Sequence, residues 1–165
     1  MPLGSNLPQP MPCILGAPSI TPSVSDDSIE AGLCAYLKQF AGLAALVSDR
    51  IYPGAVDRKQ VSTWPVVTFE IVVDPQDSTL DGVATLTSVT IEVTCWGVTR
   101  KQTRGAIEQV RLAMLGFRGW WGCVGVNGVT TDGYHDDHQL DNAGSWIYGR
   151  SQEFDALIAK SSPRF

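Results

Sequence analysis

The strongest structural constraint in this sequence is a two-residue alternation within residues 86 to 97. A period of two is the signature of a β-strand, because successive side chains point to opposite faces of the sheet. The apolar set is Val89, Ile91, Val93 and Cys95. The alternate set is Ser88, Thr90, Glu92, Thr94 and Trp96. The pattern therefore predicts a sheet with one core face and one face left to water or to a partner.

Three further segments have strand character. Residues 64 to 74 alternate in the same way, and Pro65 is tolerated there because the first residue of a strand can lack its donor. Residues 123 to 135 and 145 to 158 predict two more strands, separated by an Asp141–Gly144 turn. Asn127-Gly128 fits either a tight hairpin turn or a bulge, and the sequence does not choose between them.

Two segments have the apolar stripe of an amphipathic helix. Residues 27 to 47 form the first, with Asp27 and Glu30 at capping-box spacing, and a helix from Thr99 to about Phe117 forms the second, with Gln102 in the matching position. The stripes and the strands predict one shared core, which includes Leu37, Phe40, Val89, Ile91, Val93 and Val110. The predicted fold is α+β, with two helices on one face of a roughly four-stranded, mainly antiparallel sheet, in the order α-β-β-α-β-β.

The domain prediction follows from proline and charge. Residues 1 to 25 hold six prolines and no charged residue, so we interpret them as an extended arm, either disordered or ordered by a neighbouring subunit. Residues 26 to 160 form one domain and residues 161 to 165 a short tail. The net charge of -5 disfavours a grip on nucleic acid phosphates. The sequence holds no apolar run of membrane-spanning length and no secretory signal, which predicts a protein that assembles in the cytosol.

Catalytic and metal-binding signatures are missing from the sequence. It contains no GxSxG, HExxH, P-loop or GxGxxG motif, and its four cysteines have no zinc-ligand spacing. His135 and His138 flank two aspartates, but a histidine pair three residues apart in a strand points to opposite faces, so a solvated, turn-rich edge is the better interpretation. We expect no enzyme activity, no metal and no cofactor.

Two other features have both a functional and a structural interpretation. Arg100, Lys101, Arg104 and Arg111 on the second helix fit a phosphate-facing patch, but the solvated back of an amphipathic helix explains them as well. Trp120 and Trp121 fit an exposed interface anchor or the closed end of the core.

The order of the motifs resembles the tail-completion, or tail-terminator, family of long-tailed siphovirus-type bacteriophages, which includes the lambda-like terminators. After an amphipathic helix come Asp49, Arg50, Ile51, Tyr52 and Pro53. A Pro-Val-Val strand at Pro65 and a Thr-Leu-Asp-Gly loop follow, the loop contributing Leu80, Asp81 and Gly82. A helix then ends in a Leu-x-Gly-Phe-Arg-Gly-type motif, which includes Phe117, Arg118 and Gly119. The resemblance covers residues 28 to 158.

The resemblance implies a homohexameric ring at the head-proximal neck of the virion tail. Such a ring caps the tail tube protein, joins it to the head–tail connector or stopper protein, and lets DNA pass through its bore. Six touching subunits of ~140 residues leave a hole on the order of 35 Å. The alternatives are a head-completion or connector-adaptor protein of the neck and, from another class, a small soluble protein-binding module.

Two acidic segments are candidates for the bore or the tube interface. The first holds Asp74, Asp77 and Asp81, and the second holds Asp136, Asp137 and Asp141, both predicted as loops. Acid in the bore repels DNA phosphate, whereas acid on a rim pairs with basic neighbours.

Overall fold

The computed structural model describes residues 26–57, 61–73, 78–79, 82–83, 86–140 and 144–159. Its helices are α1 (Asp26–Gln39), α2 (Ala41–Val47) and α3 (Arg100–Met114). Its strands are β1 (Ile51–Pro53), β2 (Val66–Val73), β3 (Ser78–Thr79), β4 (Gly82–Val83), β5 (Leu86–Gly97), β6 (Gly119–Trp121), β7 (Val124–Leu140) and β8 (Trp146–Ala159). The α+β class is therefore confirmed.

The main sheet has six strands in the order β1-β2-β5-β8-β7-β6, and β3 pairs only with β4. The four strands predicted from the sequence are the four central ones, and all their mutual pairings are antiparallel. The prediction of a four-stranded sheet in the order α-β-β-α-β-β was wrong in detail. It missed β1, which pairs in parallel with β2, and β6, which pairs with β7. Segments of three residues are too short to show a period.

The first predicted helix is two helices. Phe40 has an extended backbone with φ -70° and ψ 111°, which ends α1 and begins α2. Leu43 and Val47 of α2 are buried beyond this break. Because α1 begins at Asp26, Asp27 lies inside the first helical turn instead of capping it. An apolar stripe shows which face of a helix is buried, but it does not show a single extended residue within the stripe.

The cap of α3 was predicted correctly. The Thr99 hydroxyl accepts a hydrogen bond from the Gln102 backbone N–H at 3.2 Å. The Gln102 side chain accepts in return from the N–H of Val98, one residue before the cap, at 3.1 Å. Two donors at the start of the helix are thereby satisfied. The helix ends at Met114, three residues earlier than predicted.

The predicted core is confirmed. Leu37, Val89, Ile91, Val93 and Val110 are fully buried in one cluster, and Phe40 is partly buried against it. On the other side of the cluster Gly32 of α1 stands so close to the backbone of Trp121 that a side chain there would collide with it. This close approach allows α1 to pack directly against β6 at the edge of the sheet.

All three helices belong to one layer. α3 contacts β5 and β8, while α1 contacts β1, β2, β6 and β7. The apolar alternate positions of β5 and β8 face this layer and are buried, as are Val67 and Phe69 of β2, while Ile71 is partly buried. No helix in the described ranges is long and apolar enough to cross a membrane.

The core assignment predicts the effect of a single truncation. Ile91 is completely buried at the centre of β5, so Ile91→Ala should lower the free energy of unfolding by about 2–5 kcal/mol in a urea titration. The control is Ser88→Ala on the same strand, where the side chain is exposed and the change should stay within about 0.5 kcal/mol. Equal stability of the two variants would mean that the faces of β5 are assigned the wrong way round.

Candidate assembly surfaces

The face of the sheet opposite the helices, here called the open face, carries a row of four carboxylates. Glu70 on β2 is in register with Glu92 on β5, Glu92 with Glu153 on β8, and Glu153 with Asp132 on β7. All four residues are exposed. Like charges directly opposite each other destabilise a sheet. We call this row the acidic rung, and its arrangement opposes folding instead of favouring it.

The neighbouring positions of the open face are, in contrast, internally paired. The Thr90 hydroxyl donates to a carboxylate oxygen of Asp155 at 2.7 Å, and the Trp96 indole N–H donates to the Thr68 hydroxyl at 3.2 Å. The Trp96 ring lies across Gly149, its partner on β8, so closely that any side chain there would overlap the ring. The open face is thus ordered on both sides of the acidic rung.

A groove opens beside the rung at the β2 end. Its cavity has a volume of about 300 Å³ and is lined by Gly54, Ala55, Val56, Trp64, Thr68, Phe69, Glu70, Glu92, Thr94 and Trp96. Indole rings and carboxylates in one wall suit a cationic side chain with an aliphatic stem, because both groups attract a cation. We call it the tryptophan groove.

The segment with Asp136 and Asp137 is part of a strand. The prediction of a loop there was wrong, because β7 continues to Leu140 and pairs with β8 from Gly125 to Leu140. β7 bends at two bulges, one at Asn127 and one at Gly133, where φ is 51°. Asn127-Gly128 is therefore a bulge, and the alternation is lost beyond Gly133 because both faces of β7 are exposed there.

Asp136 is neutralised within the β7–β8 hairpin. Its carboxylate binds the Arg150 guanidinium through both oxygens, at 2.5 and 3.0 Å. The hydrogen bond from Arg150 lowers the pKa of Asp136 below its usual value. The same guanidinium lies over the Tyr134 ring at 4.3 Å from its centroid. A carboxylate held this way is a structural group of the hairpin.

The Asp137 carboxylate also forms hydrogen bonds with neighbouring residues of β7. It accepts from the His138 backbone N–H at 2.7 Å and from the Gln139 side chain at 3.3 Å. His138 packs 5.4 Å from the Trp146 ring, while His135 is paired in register with Ser151. Within the residues that the structure describes, no three histidine, cysteine, aspartate or glutamate side chains stand close enough to hold a metal ion.

The basic residues of α3 are divided between several roles. Arg111 pairs with Glu108 at 2.6 Å, and Arg100 lies 5.4 Å over the Tyr148 ring. Lys101 and Arg104 are exposed on the helix surface, where Arg104 also lines a small cavity with Arg100, Asp136 and Asp137 at the β7–β8 hairpin. Leu112 and Leu115, near the other end of the same surface, are 54% and 44% exposed. The outer side of α3 is therefore basic at its start and apolar at its end.

The motif at Asp49–Pro53 acts as a structural joint. The Arg50 side chain donates to the carbonyl of Pro65 at 3.0 Å and to that of Leu46 at 3.2 Å, so it ties the end of α2 to the start of β2. Ile51 is buried, whereas Asp49, Tyr52 and Pro53 are exposed.

The second motif closes the core. Phe117 stacks on Trp121 with ring centroids 5.8 Å apart, and Tyr36 packs on Phe117 at 4.5 Å. Gly119 has φ 154°, a conformation that favours glycine. Trp121 is fully buried, as expected of a residue that closes the end of the core. Trp120 is 54% exposed, as expected of an interface anchor. Arg118 is exposed.

The remaining predicted residues fall elsewhere. Gly82 lies in β4, while Leu80, Asp74, Asp77, Asp81 and Asp141 lie outside the described residues. The acidic rung was missed by sequence reasoning. Each member occupies a polar position of a strand, which the alternation does show for Glu70, Glu92 and Glu153, but only the register brings the four together.

The acidic rung predicts a variant with increased stability. Glu92→Gln removes repulsion from two flanking carboxylates and should raise the melting temperature by about 1–2 °C at low salt, with the gain shrinking as salt screens the charges. Glu108→Gln is the control of opposite sign, because it removes a carboxylate from an ion pair. A loss of stability in Glu92→Gln would contradict the assigned register.

The Asp136–Arg150 pair predicts a pH dependence. Because the folded-state pKa is lowered, the pair stabilises the fold above the unfolded pKa of aspartate and loses its effect as the pH falls through the folded pKa. Asp136→Asn should lower the melting temperature by about 1–3 °C at pH 7 and by nothing in strong acid. The control is Asp49→Asn, and a pH-independent difference would show that the ion pair does not form in solution.

Comparison with known proteins gives a fold relationship. No protein family model matches the chain, and no curated protein matches it. Among solved structures the chain is similar to one described as "Virion of native gene transfer agent (GTA) particle". The TM-score is 0.55 at 18% sequence identity, over 79% of this chain and 93% of that chain. At this identity the match shows a shared fold that extends over almost the whole of the virion chain.

Proposed function

We propose that this chain is a structural virion protein, a tail-terminator subunit that forms a ring at the head-proximal end of a phage tail tube. The observation that carries the proposal is the fold shared with a chain of the gene transfer agent virion over 93% of that chain. The order of sequence motifs from residue 28 to residue 158 supports it independently. In this role the protein is not an enzyme and needs no cofactor.

The surfaces suit a ring. A closed ring is built from a heterologous interface, in which each subunit presents two different patches. The open face and the outer side of α3 differ in charge and lie on opposite sides of one sheet. One end of the ring would cover the tail tube protein, and the other would bind the connector or stopper protein of the head.

The bore remains part of the proposal. With a net charge of -5, the subunits would let DNA slide through without specific binding. We propose that the segment from Asp74 to Asp81 or the segment around Asp141 reaches the bore or the tube interface. Asp136 is a weaker candidate for this role than its position in the sequence indicated, because Arg150 already neutralises it.

A neck adaptor is the second candidate. The structural similarity is to a chain of a whole virion particle and singles out no position within that particle, so a connector-adaptor protein fits the same fold observation. A small binding module, the candidate from another class, fits the fold less directly. Imaging of the purified protein separates them, since a terminator should form hexameric rings, an adaptor dodecamers on the portal side, and a binding module monomers absent from particles.

The decisive experiment removes the gene from a phage that carries it. We expect filled heads and separate tails of abnormal length, because a tube without its terminator has no stop for polymerisation and no surface for the head. The control restores the gene in trans and should restore joined particles. Tails of normal length joined to heads in the null mutant would contradict the terminator role.

A further inference from the structure

Two surfaces of this chain complement each other but cannot meet within one subunit. The tryptophan groove and the acidic rung lie on the open face, and the outer side of α3 lies on the far side of the helical layer. We propose that the groove and rung of one subunit bind the outer side of α3 of the next copy, head to tail around the ring. The inference rests on the proposed function and names the interface that this function requires.

The receiving surface is built for cations. Glu70 and Glu92 belong both to the rung and to the groove, beside Trp64 and Trp96. Opposed carboxylates on an exposed strand face weaken the isolated subunit, and local rules of this kind are usually broken where function demands it. A cationic partner turns the repulsion into attraction and makes the arrangement favourable in the assembly.

The inserting surface has the matching charge and length. Lys101 and Leu112 are exposed on the outer side of α3, and Arg104 lies at the edge of that side, where it also faces Asp136 and Asp137. The eleven residues of helix from Lys101 to Leu112 span about 17 Å. The acidic rung crosses four strands, which is about 14 Å. Lysine and arginine can therefore lie over the carboxylates while the leucine reaches apolar surface near one end. Glu108 lies between them, but its carboxylate is already held by Arg111.

The second copy is favoured over other occupants of the open face. DNA is excluded because the rung and the phosphates have the same sign. The residue types of the pairing also fit, because arginine and aromatic side chains are enriched in interfaces. Since the two patches are on opposite sides of the sheet, each binding event leaves one patch free on either end, as a heterologous assembly requires, and the ring closes when the rotation between neighbouring subunits returns to the first copy.

The test uses charge reversal in the full chain. The rung variant combines Glu92→Lys with Glu153→Lys, and the helix variant combines Lys101→Glu with Arg104→Glu. We expect each variant alone to need at least about tenfold more protein to assemble, measured by light scattering and native mass spectrometry. An equimolar mixture should form rings of alternating subunits. In such a ring the basic rung of one variant meets the acidic helix surface of the other, and the acidic rung meets the basic helix surface.

Controls keep the outcomes separate. Lys38→Glu, an exposed reversal on α1, should assemble like wild type, and circular dichroism should show that both double variants are folded. The rung variant leaves two lysines flanked by Glu70 and Asp132, so we expect no loss of monomer stability.

Three results would overturn the interface. They are normal assembly of either double variant, failure of the folded variants to assemble when mixed, and loss of DNA binding instead of assembly in the helix variant. If the wild-type protein forms rings and the variants do so equally, only this interface is wrong and the terminator proposal stands. If the wild-type protein remains monomeric at every concentration, the proposed function fails together with the interface.

Discussion

The antiparallel pairing of β5 with β8 determines most of this structure. Twelve residue pairs are in register, from Leu86 with Ala159 to Gly97 with Tyr148. The register places Ile91 beside Phe154 on the core face and Glu92 beside Glu153 on the open face. A slip by one residue would exchange the two faces, bury the glutamates and expose the core. Burial of the apolar set therefore forces the carboxylates into line, whatever repulsion results.

The rest of the molecule is arranged around this pair. β2 and β7 extend the register on either side, and the three helices cover the apolar face. Only small residues fit at some contacts, such as Gly149 beneath Trp96 and Gly32 against the backbone of Trp121. These close approaches fix the ends of the sheet, and Arg50 fixes the joint between α2 and β2 through two backbone carbonyls.

The division into two faces connects the fold to the proposed role. The helical face is occupied by the core, so it contributes to stability and offers little to a partner except the outer surface of α3. The open face contributes less to stability, since its central row is repulsive. A protein that works as one subunit of a ring can carry such a surface, because the free energy lost in the isolated chain is recovered in the assembly.

The sequence alone determined the features that depend on local periodicity and local hydrogen bonds. The bounds of β5, the two faces of β2 and β8, the Thr99 cap and the shared core around Ile91 all follow from side-chain spacing. Tertiary structure decided everything that depends on which segments become neighbours. β1 and β6 exist only because a longer strand lies beside them, and Phe40 breaks the first helix inside a continuous apolar stripe. Strand register also brings together residues that are far apart in the chain. It pairs Asp136 with Arg150 and aligns the four carboxylates of the acidic rung.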